Sequence, residues 1–223
     1  MPAATPVIDG SKPSTTHMTD RHFVTRERAR KDMESLGVVM TDGHFDYGNG
    51  FHGRVYLNAH QLFRQPSTIW RLAQDLLDVI PSDLQLKTEV VAGPATGGAL
   101  LAHTIAGLLD GRRSLSHPPC AFAPFNFDGG DVTLRPFYAT SMRDRRVLLA
   151  DDVRNTGKTL ERCAALVRDA GGEVLATVQI YDRLEAVVDL GVPNIALIDY
   201  QAPENFAVSD CPLCKDGTPI TRF

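Results

Sequence analysis

Apolar residues run unbroken through Val147-Leu148-Leu149-Ala150 and stop at two adjacent carboxylates, Asp151 and Asp152. A run without polar alternation predicts a strand buried on both faces of a parallel sheet. After Asn155-Thr156-Gly157 the period changes. Leu160, Cys163, Ala164 and Val167 recur at helical spacing, with Glu161, Arg162, Arg168 and Asp169 on the opposite face. Val90-Val91-Ala92 repeats the plan and leads through Gly93-Pro94-Ala95-Thr96-Gly97-Gly98 into another apolar segment. Ile69, Leu72, Leu76, Val79 and Ile80 predict a further amphipathic helix, with Ser67 as its N-cap. Strands are predicted near 88–92, 119–123, 146–150, 174–181 and 195–199. Strands alternating with helices in this way predict an α/β fold, a parallel sheet flanked by helices.

Residues 90 to 109 contain no Asp, Glu, Lys or Arg, the raw signal of a membrane span. Internal glycines after Pro94, together with Thr96, His103 and Thr104, point instead to a buried turn and helix. The expectation is therefore no membrane.

The strand-to-helix turn at 151–159 carries the chemistry. Backbone N–H groups of Asn155 to Thr159 fall at a helix N-terminus, where hydrogen bonds and the helix dipole hold a phosphate. Two acids immediately before such a cradle suit a ligand with both a phosphate and a sugar diol, and carboxylates can help hold a phosphate-bound Mg²⁺. Gly157-Lys158-Thr159 looks like the end of a Walker A loop, but that motif needs a glycine where Asp152 stands. In the second loop, glycines let the backbone approach an anion closely.

The 147–159 segment resembles the signature of type I phosphoribosyltransferases, which use phosphoribosyl pyrophosphate (PRPP). The resemblance implies a Rossmann-like phosphoribosyltransferase core in which Asp151 and Asp152 act on the ribose. PRPP would lie along Asp151, Asp152, Val153, Asn155, Thr156, Gly157, Lys158 and Thr159, and its pyrophosphate against Ala95, Thr96, Gly97 and Gly98. Gly43-His44-Phe45 leading to Val55-Tyr56-Leu57 resembles the hood of orotate phosphoribosyltransferases, and Cys211-Pro212-Leu213-Cys214 with Gly217-Thr218-Pro219 resembles the tail of some bacterial members. The implied layout is a leader over 1–20 and one domain over 21–223, with a hood of about 40–66, a core of about 67–200 and a tail over 201–223. Arg183, which ends the strand at 173–181, would meet the orotate carboxylate together with Asn155, because a guanidinium binds carboxylate through two parallel hydrogen bonds. Mg²⁺ would arrive with PRPP. The resemblance also implies a homodimer and a loop over 125–137 that closes on the substrates. Family members carry a catalytic lysine there, whereas this chain has no lysine between Lys87 and Lys158. Arg135 is its nearest substitute. Gly48 stands where many members have a hood lysine. Transfer to orotate leads, with another base (a purine or unusual pyrimidine) or a non-catalytic PRPP-binding regulator as alternatives.

Charge and cysteine content narrow the remaining classes. Lys plus Arg total 23 against 27 Asp plus Glu in 223 residues, which gives no basic field for nucleic acid. Residues 1–20, rich in Pro, Ser and Thr, lack the basic start and apolar core of a signal peptide, so the expected location is the cytoplasm. Four cysteines are too few for a disulfide scaffold. Cys163 and Cys120 read as core. Cys211 and Cys214 have the spacing of half a zinc site, but no second Cys pair or nearby His pair completes it along the chain. The expectation is a turn with two free thiols.

Overall fold

The structure is a computed structural model, and it describes residues 20–47, 50–113, 117–184, 188–201 and 205–222. Residues 1–19 of the leader expected over 1–20 and the hood position Gly48 lie outside the described residues, and Asp20 already belongs to the first helix.

The described residues open with α1 (Asp20–Ser35) and four short strands, β1 (Val39–Met40), β2 (Phe45–Asp46), β3 (Phe51–Gly53) and β4 (Tyr56–Leu57). A 3₁₀ turn over Ala59–Arg64 leads to α2 (Pro66–Val79), followed by α3 (Ser82–Lys87), β5 (Val90–Pro94) and α4 (Gly97–Arg112). Then come β6 (Ala121–Asp128), β7 (Asp131–Thr133), α5 (Pro136–Met142), β8 (Arg146–Arg154), α6 (Lys158–Asp169), β9 (Glu173–Asp182) and β10 (Asn194–Asp199). The tail forms β11 (Asn205–Ala207) and α7 (Pro212–Lys215).

The main sheet has the order β10-β9-β8-β5-β6-β7, parallel except for the β6–β7 hairpin. The five predicted strands are therefore present, and both faces are covered. Val91, Leu148 and Ala150 join one core with α1, α2 and α4, while Val90, Ala92, Val147 and Leu149 join the other with α6. Burial on both faces is why β5 and the start of β8 show no polar alternation. The apolar 90–109 segment is β5 and most of α4, and no helix among the described residues is long and apolar enough to cross a membrane.

Three details differ from the sequence reading. Ser67 does not cap α2: the helix starts at Pro66, with Gln65 at the N-cap and no side-chain cap bond. Proline is pre-set for the first helical position and has no N–H to satisfy. β8 does not stop at the acids but runs to Arg154, because β9 continues to pair with it from Asp151↔Gln179 to Arg154↔Asp182. The expected closing loop over 125–137 is largely ordered backbone. Asn126, Phe127 and Asp128 pair with Thr133, Val132 and Asp131 around Gly129-Gly130, both at positive φ.

β2, β3 and β11 form a separate antiparallel sheet, in which the C-terminal tail joins the N-terminal segment as the hood.

Candidate active site

The topology fixes where a ligand can enter. From β5 the chain crosses to β6 on one side, then returns to β8 on the other. The loops leaving β5 and β8 thus part at a switch point, and the crevice beyond the carboxyl ends of such strands receives ligands in open α/β sheets. β5 pairs with β8 only through Ala92↔Leu149, so Asp151 and Asp152 project from β8 beyond the last β5 rung.

The two loops are in close contact. A Cβ on Gly97 would overlap the Asp152 carboxylate and lie 2.7 Å from the Phe63 ring. One on Gly98 would lie 2.8 Å from Asp151 Oδ1 and 2.6 Å from Pro94. Glycine is required here by proximity rather than by backbone angle. The Ala95 N–H donates to the Phe125 carbonyl at 2.9 Å, tying the loop to β6. The amides left for an anion are therefore those of Thr96, Gly97 and Gly98, at the start of α4.

Past β8, Gly157 adopts φ +80 and immediately precedes α6. No side chain caps this helix, and the first backbone bond back to the turn is Glu161 N–H to Gly157 O at 2.9 Å. The amides of Lys158, Thr159 and Leu160 precede that bond, and these residues line a cavity of about 280 Å³. Asp151, Val153, Asn155, Thr156, Lys158 and Arg162 also line it, as does Tyr47 from the hood. Arg162 was assigned only to the outer face of its helix. In the fold it reaches the hairpin, with an ion pair to Asp131 at 3.2 Å, and contributes a cation to the cavity.

Asp151 is buried and accepts the Asp152 N–H at 2.9 Å. Burial, and then the neighbouring Asp152 charge, push its pKa well above the usual carboxylate range. Asp152 Oδ1 accepts the Val153 N–H at 2.9 Å. The pair thus places two carboxyl groups side by side, with burial and mutual repulsion opposing charge on Asp151.

An adjoining cleft of about 200 Å³ is lined by Asp152, Asn155, Tyr47, Tyr56, His60 and Arg183. Arg183 is buried and donates to Asn155 Oδ1 at 3.3 Å and Asn205 Oδ1 at 3.0 Å, with its guanidinium 4.6 Å from the Tyr47 ring centre. Neighbouring Asp182 is buried and receives Arg154 at 2.7 Å and Asn194 at 2.8 Å. Arg154 thereby braces the floor beside the 155–157 turn.

Arg135 lies after the hairpin, exposed at the N-cap of α5, where its carbonyl accepts the Tyr138 and Ala139 amides. It lines neither cleft.

A match to the phosphoribosyl transferase domain model spans residues 59–190, more than half of the chain and inclusive of both loops. The chain belongs to the phosphoribosyltransferase family. Among relatives of this phosphoribosyltransferase, orotate phosphoribosyltransferase of Caldanaerobacter subterraneus subsp. tengcongensis is 31% identical over 88% of this chain and 96% of its own. The orotate enzyme of Erythrobacter litoralis is 29% identical, covering 92% and 97%. Orotate phosphoribosyltransferase from Aeropyrum pernix shares the fold, with TM-score 0.59, 23% identity and coverage of 76% of this chain and 92% of that one. So does adenine phosphoribosyltransferase from Thermoanaerobacter pseudethanolicus, with TM-score 0.58, 17% identity and coverage of 77% and 99%.

Cys211 and Cys214 are free thiols. The nearby His pair that the chain lacks in linear order is supplied by folding, because His44 and His52 from the hood lie against the two cysteines. Cys120 and Cys163 are buried core residues, as expected, and burial pushes the Cys120 thiol up to about 11.

Proposed function

We propose that this phosphoribosyltransferase transfers the ribose 5-phosphate of PRPP to orotate, giving orotidine 5′-phosphate and pyrophosphate. The observation that carries the reading is a buried Arg183, held by Asn155 and Asn205 and lining a cleft that shares Asn155, Val153 and Tyr47 with the phosphate cavity. A fixed guanidinium in a cleft suits a small planar carboxylate. The orotate-acting relatives support the same choice.

In this reading the amides of Asn155 to Thr159 hold the 5′-phosphate with Lys158, and Asp151 and Asp152 accept hydrogen bonds from the ribose hydroxyls. As the bond from C1 to pyrophosphate lengthens, the ribose gains positive charge, which the two acids favour. The Thr96, Gly97 and Gly98 amides bind the departing pyrophosphate, and a base nitrogen takes its place at C1. No covalent nucleophile is required.

Mg²⁺ fits as a companion of the substrate. Among the described residues the Asp151–Asp152 pair is not part of a three-ligand cluster, as a dedicated protein cage would be. Mg²⁺ keeps several waters and takes oxygens from phosphates with one or two carboxylates. When bound, it neutralises charge building on the pyrophosphate. Exposed Phe127 and Phe137 offer apolar surface for a second copy, supporting a homodimer. The unpaired core thiols suit a reducing compartment such as the cytoplasm.

The test is turnover of PRPP and Mg²⁺ with a panel of bases, with PRPP binding measured in parallel. Orotate is expected to be consumed, and Arg183→Ala to raise its KM by at least about tenfold with little change for PRPP. Preference for a purine or another pyrimidine overturns the orotate assignment. Tight PRPP binding without turnover of any base makes the chain a regulator.

Arg135 is assigned the departing charge on chemical grounds, since it is the cation of the 125–137 segment. A cation needed only in the transition state affects turnover more than ground-state binding, so Arg135→Ala should lower kcat about tenfold or more and leave PRPP affinity nearly unchanged. Unchanged kcat leaves that role to the loop amides and Lys158 or Arg162.

A further inference from the structure

We propose that His44, His52, Cys211 and Cys214 bind one Zn²⁺ ion, which fastens the C-terminal tail to the N-terminal hood. One ligand atom from each residue lies within 4.8 Å of all the others. His44 Nε2 is 3.5 Å from Cys211 Sγ and 3.6 Å from Cys214 Sγ, and His52 Nδ1 is 3.3 Å from Cys214 Sγ. With Zn–S near 2.3 Å and Zn–N near 2.0–2.1 Å, the edges of a tetrahedral site are about 3.3–3.8 Å. The sulfur–nitrogen separations already match. Two sulfurs and two imidazole nitrogens in tetrahedral array select zinc over calcium or magnesium.

The hydrogen bonds around the cluster orient the lone pairs inward. His44 Nδ1 lies 2.8 Å from the Thr218 carbonyl, which can only accept, so the proton sits on Nδ1 and Nε2 presents a lone pair. The outer nitrogen of His52, Nε2, faces Asp46 Oδ1 at 3.9 Å, which favours a proton there and a lone pair on Nδ1. The two inner nitrogens are 3.0 Å apart. Two lone pairs that close repel unless a cation lies between them. An outer carbonyl and carboxylate behind ligating histidines is also the usual support for a metal site.

Placement explains what the ion would do. The ligands come from positions 44, 52, 211 and 214, so a single ion closes a loop of more than 150 residues. Three of the four are fully or nearly fully buried: His44, His52 and Cys211. The hood sheet consists of strands two or three residues long, with little apolar core of its own, and small lobes of that kind gain stability from a structural metal. The same lobe carries Tyr47 and Asn205, which both contact Arg183. Four protein ligands leave no open position, so the ion is structural rather than catalytic.

The experiment uses the full-length protein, purified under reducing conditions with zinc present and then desalted. Elemental analysis should find about one zinc per chain. Cobalt added to the chelator-stripped protein should give the visible spectrum of a tetrahedral thiolate site. Cys214→Ser and His52→Ala should each lower zinc content at least about fivefold, whereas Asp151→Asn with Asp152→Asn should retain it, separating this ion from Mg²⁺ carried by PRPP. Zinc content does not depend on which base is turned over, so the result stands apart from the orotate assignment. Wild-type protein without zinc and without a cobalt spectrum overturns the proposal, as does unchanged zinc in both ligand variants.

Discussion

Asp151→Asn combined with Asp152→Asn is expected to abolish measurable turnover and, at the same time, to raise the thermal midpoint of the ligand-free protein. The first effect follows from position. Both carboxylates project past the last β5–β8 rung into the crevice and border the two clefts. Amides match their shape but carry no charge to favour a cationic ribose, so a loss of at least about a thousandfold in kcat/KM is expected. The second effect follows from the raised pKa of buried Asp151. A carboxyl whose folded pKa lies above its unfolded one contributes stability fully only below the unfolded value. That contribution is lost as pH rises through the folded pKa. At neutral pH the buried acid therefore costs the empty fold stability, and removing about 1 kcal/mol of that cost shifts the midpoint by roughly 2–4 °C in a domain of this size. Scanning calorimetry together with PRPP titration checks both halves. Wild-type PRPP affinity in the double variant would falsify the ribose assignment, and a lower midpoint would mean that the acids support the fold.

Gly97→Ala should be nearly as damaging to activity, though it adds a single carbon. The new Cβ would overlap the Asp152 carboxylate and crowd Phe63, so either the acid or the loop must move. Asp152 is short and tethered to the Val153 amide, which leaves little slack. Displacement of about 1 Å at a reacting centre costs on the order of a hundredfold, and kcat/KM should fall by about that much. Gly107 on the same helix has open space where a Cβ would go. Gly107→Ala should keep full activity and stabilise the helix by about 0.5–1 kcal/mol. Steady-state kinetics with a melting curve for each variant separates a local clash from general damage. If Gly97→Ala stays within threefold of wild type, the two loops are not packed as tightly as the structure has them.

Most of the core was legible along the chain, because its signals are local. Val147 to Ala150 are apolar throughout since both sheet faces are covered, and Gly157 marks the turn into α6. α1 was not legible. Its inward residues are only Thr25, Ala29 and Met33, and it is held to α2 by Arg28–Asp75, Arg71–Asp32 and Arg21–Asp78. Ion pairs between helices have no periodic apolar signature. The β6–β7 hairpin was missed for a related reason: its strand Asp131-Val132-Thr133 is three residues long and buries only Val132. Gly129-Gly130 was the available clue to a tight turn.

The sequence by itself determined the α/β core, the paired acids before the turn into α6 and the glycine loop that accompanies them. These depend on residues within about ten positions of one another, where hydrophobic period and turn chemistry act directly. Only the tertiary structure decided which distant groups share a site. It brought Gly97 against Asp152, set Asn205 and Tyr47 around Arg183, and gathered His44 and His52 to Cys211 and Cys214. Such meetings are made by strand order and by the return of the tail to the hood, which pair residues from 22 to 170 positions apart. No local pattern encodes that separation, since it is set by packing of the whole chain.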